Sequence, residues 1–417
     1  MEERLLRAAA NVSYLAKASL HIDSDVIAIE KSDLSSFFIS NDYDTLHLPI
    51  FSMFISLSEE NYAKVVKNRD KVKLHFKLQR SFGMHGVEQE KKELIFNRMF
   101  KIYTTDARPF LEESRLERNT ALSTTNDDLT DETNNLTKSE NMLEITAFTD
   151  DVTNNSYVIN EVLSSANMTD AVGVVLGRPS YEEILMEPID NKSSYSEVLI
   201  PPYTTVGNIE YLHNQYGLYE TGYIFFAGLD RTYLISKDRK CRAKEKDEYE
   251  KVIIRVAKDD TADSIVDGSI KDEDAKVYYV RVAPMTVQAE ALAITNNAIN
   301  GNKKQFVYPM TGAMKTAEEG ETNGAVNRQV LANRYNSKFV HTEAENNLKQ
   351  NNIRLTIPVS GVDIDALTPN KEFVVKFDDS KAQKEIGGTY RLVTSQFAFK
   401  PSDEKTYLVD GILVLTK

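Results

Sequence analysis

The stretch Pro201 to Ile235, PPYTTVGNIEYLHNQYGLYETGYIFFAGLDRTYLI, reads as helix, stop, strand, turn, strand. Thr204 or Thr205 is placed to cap the helix, since a hydroxyl accepts from the free amides of a first turn. Ile209, Leu212 and Tyr216 recur at spacings of 3 and 4 and so share one helical face. Gly217 is placed to stop the helix in a left-handed conformation, and Leu218 follows where an apolar residue packs back on the last turn. Tyr223-Ile224-Phe225-Phe226 has the composition of a buried strand. Gly228-Leu229-Asp230 turns the chain, and Thr232-Tyr233-Leu234-Ile235 returns it. This is a small α/β packing unit, and the rest of the chain is organised around it.

The region before it is rich in strand patterns. Residues 1–20 carry Leu5, Leu6, Ala9, Val12, Leu15 and Ala16, which suits a short amphipathic helix or an arm. Val26 to Ile29, Ser36 to Ile39 and Leu48 to Ile55 follow as strand candidates. Val72 to Leu78 is the clearest: apolar residues fill every second position, and lysines and His75 fill the rest, so one face is buried and one is wet. Glu93 to Tyr103 is a further long β segment. These strands predict an antiparallel barrel or sandwich. Ser123 to Glu140 is polar with only two Leu, which cannot bury a core and reads as an exposed loop. Leu143 to Phe148 is a strand, Asn154 to Ala166 reads as helical, and Ser180 to Leu185 is a helix candidate.

After the central stretch, Lys237 to Lys251 is densely charged and reads as a domain crossing. Val252 to Val256 and Val277 to Val282 are strands flanking an acidic loop. Asn296 to Gly324 is polar, contains Gly and reads as an extended loop. A short helix is expected at Gln329 to Tyr335. The last block is strongly β: Ile353 to Val359 alternates, as do Phe373, Val375 and Phe377, and Tyr390 to Val393 and Tyr407 to Leu415 follow. Gly361, Gly387-Gly388 and Gly411 punctuate it.

The 417 residues exceed one ordinary core, and two to four domains are expected. Sixty-three acids against 50 bases give a net charge of −13, which argues against a broad basic face for nucleic acid. The single cysteine, Cys241, excludes an intrachain disulfide framework and a cysteine zinc site. The N-terminus has early acids and no apolar core of secretory length, and no run approaches the roughly 18 apolar residues of a membrane helix. Synthesis in a cytoplasm, with no membrane anchor, is the expectation.

No catalytic, cofactor-binding or metal residue is assigned. The six histidines, His21, His47, His75, His85, His213 and His341, show no i, i+4 pair and no HExxH. Gly173 to Gly177 lacks the GxxxxGK[ST] of a phosphate loop, and no GxSxG nucleophile elbow occurs. Cys241 lies in a basic run without a neighbouring His. Carboxylate pairs such as Glu112-Glu113, Glu182-Glu183 and Asp259-Asp260 are what an acidic chain contains. The acidic loops at Asp259 to Asp263 and Asp272 to Asp274 lack calcium-loop spacing.

Three features together resemble the baseplate hub proteins of contractile-tailed bacteriophages, the trimeric proteins that cap the tail tube and hold the central spike. The first is the helix ending in Tyr216-Gly217-Leu218 before an aromatic hairpin. The second is the order of a Leu48-Pro49-Ile50-Phe51 strand, an acidic helix from Glu59 to Val66, an alternating strand and a long strand. The third is Pro369-Asn370, a strand, an acidic loop and a Gly387-Gly388-Thr389-Tyr390-Arg391-Leu392 strand. The resemblance implies an α+β chain, mostly antiparallel β, with two tail-tube-like β-barrels and an α/β middle domain. The expected divisions are an N-terminal barrel domain at 1–120, a polar linker at 121–140 and the middle domain at 141–245. Return strands at 246–300 then complete the first barrel, an extended loop spans 301–328, and a second barrel spans 329–417. A non-enzymatic structural role follows from the resemblance: a homotrimeric ring in the virion between the hexameric tail tube protein, the central spike protein and other baseplate proteins. Genomic DNA would pass the lumen without sequence-specific binding, and no cofactor is implied. The competing readings are a tail-associated hydrolase of peptidoglycan or polysaccharide, and a receptor-binding adhesin.

Overall fold

Alternation at Val72 to Leu78 produces strand β5 (Val72–Phe82), with Leu74, Phe76 and Leu78 fully buried. The computed structural model that contains it describes residues 12–82, 91–106, 142–240, 249–257, 270–272, 277–282, 287–290, 304–309, 315–316, 326–332, 339, 353–402 and 406–417. Strand β5 lies between β1 (Val12–Ile22) and β6 (Lys91–Asp106), antiparallel to both. The sheet continues through β7 (Met142–Thr149), β4 (Ile50–Ser56) and β3 (Leu34–Asp42) to two strands from the far end of the chain, β22 (Gly388–Pro401) and β23 (Tyr407–Thr416). Strand β23 meets β1 at Tyr14 and Tyr407 and also pairs with β22, so eight strands close into an antiparallel barrel. Its interior is an aromatic stack: Phe37 lies 4.2 Å from Phe399 between ring centroids, and Phe51 lies 4.7 Å from Phe76 and 4.9 Å from Phe100. Such offset and edge contacts add to what the buried area alone contributes. Strand β2 (Asp25–Ile29) folds back on β1. Helix α1 (Glu59–Lys67) starts at Ser58, whose side chain accepts from the Asn61 amide. Its acids lie in the first turn and its lysines in the last, as the helix dipole favours.

The middle of the chain holds α2 (Asp151–Asn155), β8 (Val158–Asn167), α3 (Met168–Gly177), β9 (Ile184–Met186), β10 (Ser194–Thr204), α4 (Thr205–Tyr216), β11 (Tyr223–Ala227) and β12 (Thr232–Ser236). Strands β8 and β10 pair antiparallel, while β9 adds parallel to the β11–β12 hairpin. That hairpin explains the central stretch, because its alternate residues enter two different cores. Ile224, Phe226, Tyr233 and Ile235 join the barrel's core, whereas Phe225 and Leu234 join the core formed by α3, α4, β8 and β10. A strand buried on both faces is apolar throughout rather than alternating, as the sequence YIFF and TYLI is.

The same eight-stranded ring extends into a second group. Strand β21 (Glu372–Phe377) pairs with the start of β22, and β13 (Lys251–Val256) lies parallel to β21. Beyond them come β15 (Val277–Val282) and β14 (Ile270–Asp272), while β20 (Arg354–Ser360) and β16 (Gln288–Glu290) extend from β23. Strand β22 therefore serves both groups. Gly388 to Tyr390 pair with β21 and Thr394 to Phe399 pair with β3, and the register slips between Leu392 and Thr394. A bulge at that point bends and twists the strand, and the Val393 carbonyl accepts from the Tyr43 amide at 3.0 Å. Helix α5 (Ser380–Glu385) is capped by Asp379, and β17 (Lys304–Pro309), β18 (Lys315–Thr316) and β19 (Val326–Ala332) form a separate small sheet.

Several expectations are corrected. Residues 12–22 are a strand, not part of a helix, because Val12, Tyr14, Ala18, Leu20 and Ile22 alternate inward. Residues 158–167 are likewise a strand where helical spacing was read; β-branched Val158, Ile159 and Val162 favour the pleat. Ile184 to Met186 is a strand rather than the end of a helix. The expected helix at 329–335 falls on β19, and the extended loop at 296–324 contains β17 and β18. The acidic loop after β21 holds α5. Strands 251–256 and 277–282 do not complete the first barrel. They pair in parallel with each other and with β21, because β22 and β23 already close the barrel. Their alternation fixes a buried face but not a partner. Ser123 to Glu140 and Cys241 lie outside the described residues.

Candidate functional site

Charged and aromatic side chains concentrate where the barrel, the middle unit and the second strand group meet. The hairpin β11–β12 is clamped to the barrel by backbone and ring contacts. The Ala227 amide donates to the His47 carbonyl at 2.9 Å, His47 Nδ1 lies 2.9 Å from the Phe225 carbonyl, and Tyr43 stacks edge-on against Phe226 at 4.7 Å. Arg98, on β6, donates through Nε to the Leu229 carbonyl at 3.1 Å and pairs with Glu182 at 2.9 Å.

Two arginines tie the second strand group to the barrel. Arg391, just before the bulge in β22, grips Asp44 with both terminal nitrogens at 2.9 and 2.8 Å, and Lys237 approaches the same carboxylate at 3.4 Å. Burial alone would raise the Asp44 carboxyl, but the hydrogen bonds and charge of Arg391, with Lys237, hold it below the ordinary carboxylate range. Arg80, on β5, reaches Asp363 and Glu93 and lies 3.5 Å from Asp365. Tyr14 completes this joint: its hydroxyl donates to the Val362 carbonyl and accepts from the Ile364 amide, both at 3.0 Å. The Tyr278 hydroxyl accepts from the Asp363 amide at 2.8 Å. Burial and the Asp363 charge push the Tyr14 phenol well above its usual value, so it stays a neutral hydrogen-bonding group.

Beside this joint lies a cavity of about 50 Å³, lined by Tyr43, Phe226, Asp230, Tyr233, Asp365 and Thr368 among others. Burial and the neighbouring Asp363 raise the Asp365 carboxyl, while Arg80 pulls it back. Two carboxylates thus face one space, the pairing that glycoside hydrolysis uses. Asp230 is already engaged by the Tyr233 hydroxyl at 2.5 Å and by Arg231 at 3.2 Å. Ligand pockets run to roughly 300–1,000 Å³, and this cavity has room for water rather than a sugar ring. The arrangement joins elements from distant parts of the chain.

Residues singled out in the sequence fall elsewhere. His21 and His75 meet edge-on at 5.8 Å across β1 and β5, with His75 Nε2 2.8 Å from Asn97 Oδ1. His213 Nδ1 accepts from the Leu218 amide at 3.3 Å, closing the end of α4. Among the described residues, no group of three or more His, Cys, Asp or Glu is arranged to hold a metal, and no helix is long and apolar enough to cross a membrane. Gly173 and Gly177 lie in α3. Glu182 and Glu183 pair with Arg98 and Arg231, and Glu112-Glu113, Asp259-Asp260, His85 and His341 lie outside the described residues. Sequence reading missed Arg80, Arg391 and Tyr14, whose partners are 283, 347 and 348 positions away.

Comparison with known proteins agrees with this architecture. The tail protein of Neisseria meningitidis MC58 is 10% identical, with a TM-score of 0.53 and 96% of each chain covered. The 43 kDa tail protein of prophage MuSo2 from Shewanella oneidensis is 8% identical, with a TM-score of 0.46 and 95% of this chain and 96% of that one covered. The E. coli c3393 protein, described as a component of the type VI secretion system with structural similarity to T4 tail proteins gp27 and gp5, has a TM-score of 0.42 and covers 95% of this chain and 76% of its own. A search of curated proteins finds no match. A family model for the Bacteriophage PBS1 gene 109 protein matches residues 11–417. The chain therefore belongs to the Bacteriophage PBS1 gene 109 protein family, and the resemblance to phage baseplate hub proteins read from its sequence holds.

Proposed function

We propose that this chain is a structural baseplate hub of a contractile tail, forming a trimeric ring that joins the hexameric tail tube to the central spike and surrounds the DNA-ejection channel. One observation carries the reading: a closed eight-stranded barrel is continuous, through β22 and β23, with a second β group in the same chain. Two barrel-like units per chain in three copies give six around the axis, which matches a hexameric tube. Strands β14 and β16, which end the sheet among the described residues, suit closure by a neighbouring subunit. The chain is made in the host cytoplasm and carried in the virion. It acts without catalysis, and the closed barrel, the middle unit and the second strand group work as units, the barrel and the second group joined through β22 and β23. Co-assembly of the purified chain with tail tube protein, followed by light scattering, tests the stoichiometry: the expected mass corresponds to three copies on a tube end. Zymography on host cell walls tests the absence of catalysis, and clear lysis by the purified chain would overturn that part.

A further inference from the structure

The outer face of β1, β5 and β6 carries a charge pattern opposite to that of the chain. Lys17 faces Lys77 across β1 and β5, and Lys73 faces Lys101 across β5 and β6. Directly opposed residues have Cβ atoms about 4.5–5.5 Å apart, and like charges at that spacing destabilise a sheet. His75 lies between the two pairs on β5, and His21 lies opposite Lys73, on the same face. None of the four lysines forms an ion pair with a carboxylate of a described residue; Lys101 donates to Thr153, and Lys71, just before β5, pairs with Asp23 at the β1–β2 turn. A merely solvated face mixes signs or uses neutral polar residues. Here the fold tolerates two repulsive pairs, in a chain whose formal charge of −13 becomes −17 without these four lysines.

We infer that this face docks the acid-rich surface of a second copy of the chain, in a head-to-tail contact around the ring. The inference rests on the trimeric reading above. Identical subunits of charge −13 repel one another at long range, and contacting faces of opposite sign offset that repulsion. A closed cyclic ring needs two different matching faces on each subunit. Lysines are suited to such a face, because hydrated, flexible charges steer encounter and set register, with a strength that falls as salt rises.

The test uses intact particles that carry the chain. Zero-length carbodiimide cross-linking and peptide mass spectrometry should join Lys17, Lys73, Lys77 or Lys101 to Asp or Glu of this same sequence at positions out of reach within one chain. Links to a different protein, or no links to another copy, overturn the inference. In parallel, Lys17→Glu with Lys77→Glu keeps a like-charge pair across the strands, so the folding cost is matched while the sign is reversed. Lys17→Gln with Lys77→Gln controls for any residual folding defect. Assembly is expected to fall at least tenfold for the reversed pair and less for the neutral pair. Wild-type assembly of the reversed pair overturns the inference, as does retention of duplex DNA by the free wild-type chain that the reversed pair abolishes. Failure of the hub reading is separable: it requires wild-type particles without three copies at the tube end.

Discussion

At the scale of single residues, Gly217 shows where sequence chemistry is legible and where it stops. Its place at the end of α4 and its positive φ of 80° follow from the local pattern. The accompanying ψ of 129° does not, and it lies outside the left-handed well that Asn tolerates. A Cβ there would also fall 2.3 Å from the Phe339 ring, a contact no local pattern announces. Gly217→Val and Gly217→Asn are therefore both expected to cost on the order of 1 kcal/mol or more in thermal unfolding, and an Asn variant as stable as the parent would contradict this geometry. Asp44 gives a second residue-scale test. Its folded pKa is depressed, so its contribution is present above the unfolded value of about 4 and is lost as pH falls through the folded value. Asp44→Asn should cost about 2 kcal/mol at pH 7 and flatten the acid side of the stability curve. An unchanged curve would mean that the Arg391 pair contributes nothing.

At the scale of elements, strands with one wet face were readable from period two alone, as β5, β7 and β20 show. The doubly buried hairpin was readable from its unbroken apolar run. Strands β1 and β8 were misread because their apolar residues fit a helical spacing equally well, and only pairing with β5 and β10 decides between the two. The partners of β13 and β15 were not legible, since alternation specifies a face and leaves the neighbour open. The bulge at Val393, which lets one strand serve two groups, has no glycine to mark it. Ser123 to Glu140 is an element-scale prediction of the opposite kind. Its composition offers no core, so its deletion should leave the melting temperature nearly unchanged, and a loss of several degrees would contradict the linker reading.

At the scale of the molecule, the order of elements was enough to expect a mostly antiparallel β chain with a closed barrel, but not how the parts are joined. The joints are long-range: Arg80 to Asp363, Arg391 to Asp44, and Tyr14 to the Val362–Ile364 backbone. They bind the first barrel to the segment that starts at Val362, so strands from opposite halves of the chain form one body. That construction suits a part whose task is to hold other parts in register. The central claim is that three such bodies form the ring at the tube end. Imaging of intact particles end-on at that position tests it most directly: the account predicts three copies around the axis, each presenting two barrel-like units, and six copies or none would contradict it.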